Sequence, residues 1–418
     1  MITRRNLIGA SAGLSAAAVL TGCGGEQPVA EVPSNPAEVT GKVTHWTYPI
    51  GDTQEQAWWG ELVAEFNKEY PKVEVSVVVQ PWKSRGEALT TAVASKTGPD
   101  VIYFNPDFIP RFASQGLLMP VDKILGPERA DYVDAAVEAL TYEGKVYGVP
   151  MLMEVYTPCY NSEVIEKLGF DGPPETWDDL RAVADKALAD GMSLADYAAA
   201  DGSLNGTFYP FLWQAGGEVL DESGKNVAFD GPEGVEALTF LRELADKGAL
   251  NKDVLSQPAP VFEQSKFARG EQPVAFGMIV EEARGIMGEK ARACAPFSGK
   301  KMATFGSVGA MCVFNEAKSP DAVAAWIAFA SNKANTERFI KAAGYLPPRK
   351  SLGDIWADDP DQTLRSKYLD DIRVGVLHPK AREMMDVIAP HIQGCLLGQQ
   401  DPETALKAAA DEVNAMLG

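Results

Sequence analysis

The chain has 418 residues, 46% of them hydrophobic and 23% charged, with a formal net charge of −20. An acidic field of that size repels nucleic-acid phosphates and anionic lipid headgroups, which excludes a nucleic-acid binder; beyond that it implies only solubility. Once an N-terminal leader and linker are set aside, about 380 residues remain, more than one core comfortably holds, so two domains are expected.

Thr3-Arg4-Arg5-Asn6-Leu7 gives a positive start, followed by an uncharged run to Leu20. That run is too short, and too rich in Ala, Ser and Gly, for a spanning helix, and residues 1–22 read as a signal peptide. The paired arginines resemble a twin-arginine export signal, with an ordinary secretory leader as the alternative. Leu20-Thr21-Gly22-Cys23 resembles the lipobox of bacterial lipoproteins. That resemblance implies cleavage before Cys23, a lipid anchor on its sulfur, and an exported protein held at the cell envelope. Residues 23–40 are rich in Gly, Pro, Glu and Ser without an apolar period and read as a flexible tether. No later stretch approaches ~18 uninterrupted apolar residues, so membrane contact is expected only through the anchor. Cys159, Cys294, Cys312 and Cys395 are even in number, which permits disulfides outside the cell, but their wide spacing does not require them and favours buried thiols.

The mature sequence opens with strand and helix alternating. Residues 42–47 alternate into a strand, and Trp59, Leu62, Val63, Phe66 and Tyr70 form a helical stripe that Pro71 stops. Residues 73–79 are β-branched, 84–96 helical, and 100–104 a further strand. This order predicts a parallel sheet covered by helices, with ligands beyond the carboxyl ends of the strands. Tyr48, Trp82 and residues 104–107 then share one rim. Residues 151–161 are extended but interrupted by polar positions. Thr176 with Asp179, Asp230-Gly231-Pro232, Ser319-Pro320 and Asp401-Pro402 each open a helix.

Several short runs then carry a family likeness: Pro81-Trp82, Thr97-Gly98-Pro99-Asp100-Val101, Tyr147-Gly148-Val149-Pro150, Gln214-Ala215-Gly216-Gly217 and Gly344-Tyr345-Leu346-Pro347-Pro348. In order and spacing they resemble the family 1 extracellular solute-binding proteins, the sugar-binding group that serves ABC importers. The resemblance implies an α/β fold of two lobes with a ligand cleft between them. Residues 41–152 and 307–342 would form the first lobe, 157–304 and 346–418 the second. Hinge crossings would lie near Glu154 and residues 304–306. It also implies a monomer that delivers a carbohydrate to permease subunits, with no cofactor, no metal and no catalytic residue.

A neutral sugar presents hydroxyls that donate and accept, and C–H faces that favour aromatic rings, so carboxylates, amides and rings are the expected site groups. The resemblance places Glu154 on the hinge strand facing the cleft, where a carboxylate among apolar residues needs a partner. It places Asn105 and Asp107 in a sugar-contacting loop, an alternative being a turn that caps the next helix. Tyr48 and Trp82 end their strands, Trp58 lies off the helix stripe, Tyr209 sits in a segment that supplies platforms in the family, and Tyr345 flanks the Gly-Tyr-Leu-Pro run. One departure stands out. Where many relatives carry a stacking tryptophan, residues 274–282 here end in Glu281-Glu282. Paired carboxylates suit an amino sugar or another cationic polyol; a solvated acidic face is the alternative. A glycerophosphodiester remains a further alternative, disfavoured because the candidate loops hold mostly acids, amides and aromatics. A glycoside-processing enzyme using Glu281 with Glu154 is the alternative of another class. The three histidines are too scattered for a metal motif.

Overall fold

The computed structural model describes residues 31–418 apart from 83–84, 200–203, 257–260, 278–279 and 370. The expected signal peptide and the anchor at Cys23 lie outside the described residues. The strand Gly41–Thr47 runs parallel to Val73–Val79 on one side and to Val101–Phe104 on the other. Between the first two, the helix Gln56–Glu69 buries Trp59, Leu62 and Phe66, which lie three and four apart and so share the face turned to the sheet. The helix Arg85–Ala94 makes the second crossover and buries Leu89 and Ala92.

The eleven-residue strand Thr304–Phe314 ties the molecule together. Its second half pairs antiparallel with Val101–Phe104, and residues 306–312 pair antiparallel with Gly148–Val155. At its start, Thr304 and Phe305 pair in parallel with Ile372 and Arg373. All eight residues of Gly148–Val155 are buried, as befits a strand covered on both faces. The extended run read from sequence over 151–161 is therefore two strands, this one and Cys159–Asn161, separated by a break at 156–158.

Beyond the break the chain is mostly helical. A small antiparallel sheet orders Ala291–Ala293, Cys159–Asn161 and Val274–Ala275. Beside it, helices Phe208–Gln214, Pro232–Asp246, Ala381–Leu396 and Pro402–Leu417 pack on one another, and Trp177–Ala189 joins the same core. Thr176 and Asp179 form the reciprocal cap expected from their spacing, and Asp401 accepts from the Thr404 N–H. Cys159, Cys294, Cys312 and Cys395 are buried free thiols. Among the described residues no helix is long and apolar enough to cross a membrane.

Two large apolar cores result. One is built from residues between Val39 and Val155 and between Val308 and Leu346, the other from residues between Val164 and Leu255 and between Ala381 and Val413. Ile355, Trp356, Tyr368, Ile372 and Val374 pack on the first core, although residues 346–418 were expected in the second lobe. Arg349 anchors this segment there: its guanidinium meets Glu128 and Asp131 at 2.9 and 3.0 Å and donates to the Ser331 carbonyl.

The crossing is tight at Gly306. A Cβ there would meet the Ile372 Cβ at 2.5 Å and the Glu154 carbonyl oxygen at 2.7 Å, and neither can swing aside. Gly306→Ala is therefore expected to destabilise the protein by about 1–3 kcal/mol, the usual cost of overpacking, as read from the midpoint of urea unfolding. An unchanged midpoint would show that the three strands give way at no cost.

Candidate functional site

Between the two cores lies a cavity of about 1170 Å³. This is larger than the roughly 300–1,000 Å³ of most small-molecule sites. Its floor is the crossing itself. Glu154 pairs with Ser307 across the two long strands, is only 6% exposed, and borders the cavity. Its Oε1 finds no hydrogen-bond partner among the described residues. Burial pushes this carboxyl up to about 7, opposed by Arg365 and the adjacent Tyr156 hydroxyl and reinforced by Glu282.

The first wall is aromatic and preorganised. Trp82 stacks on Tyr48 with centroids 4.7 Å apart, donates its indole N–H to the Pro49 carbonyl at 2.9 Å, and remains 45% exposed on the cavity side. Beneath it the Arg85 guanidinium lies 4.3 Å from the Tyr48 ring and 4.4 Å from that of Phe108. Arg85 also donates to Asn105 Oδ1 at 3.0 Å and to the Tyr103 carbonyl at 2.6 Å, while the Asn105 amide donates to Ser307 Oγ. Asn105 thus borders the cavity with both ends of its amide engaged.

The opposite wall comes from two helix starts. Glu282 lies in the first turn of Val280–Met287, and Arg382 and Asp386 lie one turn apart on Ala381–Leu396. Tyr345, which follows the helix Lys333–Ala343 and packs on the first core, borders the cavity from that side. Two ion pairs reach across from the first wall: Arg382 to buried Asp107 at 2.6 Å, and Arg111 to Glu383 at 3.4 Å. Burial raises the Asp107 carboxyl, and Arg382 and Arg85 pull it back down.

Of the ten residues singled out from sequence, Glu154, Asn105, Trp82, Glu282 and Tyr345 border the cavity. The other five are placed elsewhere, each for a physical reason. Tyr48 is buried behind Trp82, Asp107 is held by Arg382, and Glu281 turns away to Arg365 at 3.0 Å. Tyr209 is wholly inside the second core, and Trp58 packs between Trp59 and Phe339 under the Arg338 guanidinium. Arg85, Arg111 and Arg382 also line the cavity, so its walls are not chiefly acids, amides and aromatics as the loops suggested. Tyr103 and Tyr156 went unnoticed although each stands two residues from a chosen position, the spacing of side chains on one strand face. Nothing local marks a buried arginine. No group of three His, Cys, Asp or Glu side chains among the described residues could hold a metal.

The burial of Glu154 has a thermodynamic sign. The folded protein keeps that proton between pH 4.5 and about 7, where the unfolded chain releases it, so stability falls as pH rises through this window. Glu154→Gln should flatten that decline and leave the unliganded variant the more stable form at pH 8, by up to about 3 kcal/mol. Denaturation at pH 5 and pH 8 reads the difference; equal pH slopes for both proteins would contradict a carboxyl that burial holds protonated in the folded protein.

Comparison with known proteins bears on what such a cleft holds. A binding protein of Brucella abortus (strain 2308) is 25% identical over 371 residues, which span 86% of this chain and 90% of that one. The galactooligosaccharide-binding protein of Bacillus subtilis (strain 168) is 23% identical over 367 residues, 85% of this chain and 86% of its own length. Among solved structures, an ABC transporter solute-binding protein from Thermotoga lettingae TMO bound with α-D-tagatose superposes with a TM-score of 0.80 at 23% identity, covering 91% of this chain and all of that one. That likeness fixes the fold as the two-lobed one. The profile described as bacterial extracellular solute-binding protein matches residues 61–363, and the chain belongs to that family.

Proposed function

We propose that this protein is the carbohydrate-capturing component of an ABC importer, tethered outside the cytoplasmic membrane through Cys23 and acting as a monomer. The observation that carries the reading is the cleft: the exposed face of Trp82 is fixed over a floor that holds a buried carboxylate lacking a full set of partners. A ring laid on Trp82 buries its C–H face, and its hydroxyls supply the donors that Glu154 lacks. Sugars in the names of the relatives above support the ligand class. A glycosidase pair of Glu281 and Glu154 finds no support, because Arg365 holds Glu281 away from the cavity.

The lobes would be residues 41–152 with 307–342, and 157–304 with the C-terminal helices, the segment 346–374 bracing the first against the second. Capture would work by hinge closure about the crossing. A ligand touching both walls favours the closed form by the contacts it gains there. The Asp107–Arg382 pair already spans the walls, so part of the closing energy comes from the protein itself.

Two outcomes follow. Trp82→Ala should weaken carbohydrate binding about tenfold or more while lowering the melting temperature little, since the ring is half exposed; calorimetry with a sugar found by thermal-shift screening reads both. Undiminished affinity would remove the platform from the site. Replacing both partners of this pair together, Asp107→Asn with Arg382→Met, should enlarge the radius of gyration of the unliganded protein in solution scattering. No change would mean that the pair does not hold the walls together.

A further inference from the structure

The sequence presents Glu281 and Glu282 as a pair, but the structure separates them and makes a different one. Glu281 is bound by Arg365, whereas Glu282 has no ion pair among the described residues and borders the same cavity as Glu154. The two carboxylates act on each other, since Glu282 is among the charges that raise Glu154. The unpartnered Oε1 of Glu154, on a side chain 94% buried, stands at that end of the cleft.

The neighbouring cations are already engaged. Arg365 is wholly buried, with Nη1 on Glu281 and Gln362 and its other nitrogens on the Val155 carbonyl. Arg382 is taken by Asp107, and Arg85 by Asn105, the Tyr103 carbonyl and two rings. Asp386, on the facing helix, borders the cavity with no ion pair among the described residues. Tyr103, Tyr156 and Tyr345 line the same end and offer electron-rich faces. The groups left without an ion-pair partner here are carboxyls, and a neutral sugar would bring them no cation.

We infer that the ligand of this cleft is a sugar with a free, protonated amine, its ammonium seated between Glu154 and Glu282. The inference rests on the carbohydrate reading above and narrows it. An ammonium donates to both carboxylates in charge-assisted bonds, about twice as strong as those of neutral hydroxyls. Burial raises both carboxyls, aided by Glu282 at Glu154 and by Glu263 at Glu282, and a cation between them opposes that bias.

The test is calorimetry on the folded protein with matched pairs: glucosamine and glucose, galactosamine and galactose, mannosamine and mannose. N-acetylglucosamine keeps the shape without the charge, and putrescine carries amines without a ring. The expected result is one amino sugar binding about tenfold or more tighter than its neutral parent, with N-acetylation abolishing the gain. Glu282→Gln should reduce that advantage to near the parent's affinity and Glu282→Asp should retain part of it, circular dichroism confirming that both variants are folded. Neutral sugars binding as tightly as their amines in every pair would overturn the inference and leave the carbohydrate reading standing. Putrescine binding as tightly as the best amino sugar, or no sugar binding at all, would overturn both.

Discussion

The antiparallel pairing of Gly148–Val155 with Thr304–Phe314 is the constraint on which the rest depends. Their paired residues are more than 150 positions apart in sequence, and the ladder brings the chain back into the first sheet before the C-terminal helices complete the second core. Because the pair also carries Glu154 opposite Ser307, the same hydrogen bonds that join the two halves set the floor of the cleft. Gly306 is needed because Ile372 arrives there as a third strand, leaving no room for a side chain. A site at such a crossing senses both halves at once, which is what a closing clamp requires.

Rigidity and electrostatic expense are divided between the walls. Trp82 is fixed by stacking and by its indole hydrogen bond, so an occupant meets a preorganised surface and little ordering entropy is lost on binding. Arg85 supports that wall from behind, its charge spread over rings and oxygens. The floor is the opposite case: Glu154 is buried at a cost that Arg365 and the Tyr156 hydroxyl offset in part and that an occupant or a proton relieves further. Below it, Arg365 with Glu281, and Arg284 and Arg292 with Asp361, stitch the 346–374 segment to the helix Val280–Met287 and to the strand Ala291–Ala293 that follows it. These are low-exposure pairs whose loss would strand a buried charge, and they fix geometry more than they add stability.

How far the sequence disclosed this can be judged residue by residue. The first three strands and their helices were legible because β-branched runs and the stripe of Trp59, Leu62 and Phe66 report local periodicity. The caps at Thr176 and Asp401 were legible because capping needs only neighbours in sequence. Glu154 was legible through family resemblance, and half of the candidate site residues border the cavity. What could not be read was which face wins when several are available. Tyr48 and Trp82 both end strands on one rim, but only the stack decides which covers the other. Glu281 and Glu282 are adjacent in sequence, yet a helix turns consecutive side chains about 100° apart, and Arg365, more than 80 residues on, selects the first. Arg85 and Arg382 carry no local sign that they will meet aromatic rings or a carboxylate at the cleft.

A crystal structure with the tightest-binding sugar from a screen tests the central claim most directly. Electron density for the sugar is expected between the two cores, with one ring face on Trp82 and a polar group within hydrogen-bonding distance of Glu154. Density seated anywhere outside this cleft, or a sugar that leaves Trp82 and Glu154 untouched, would contradict it.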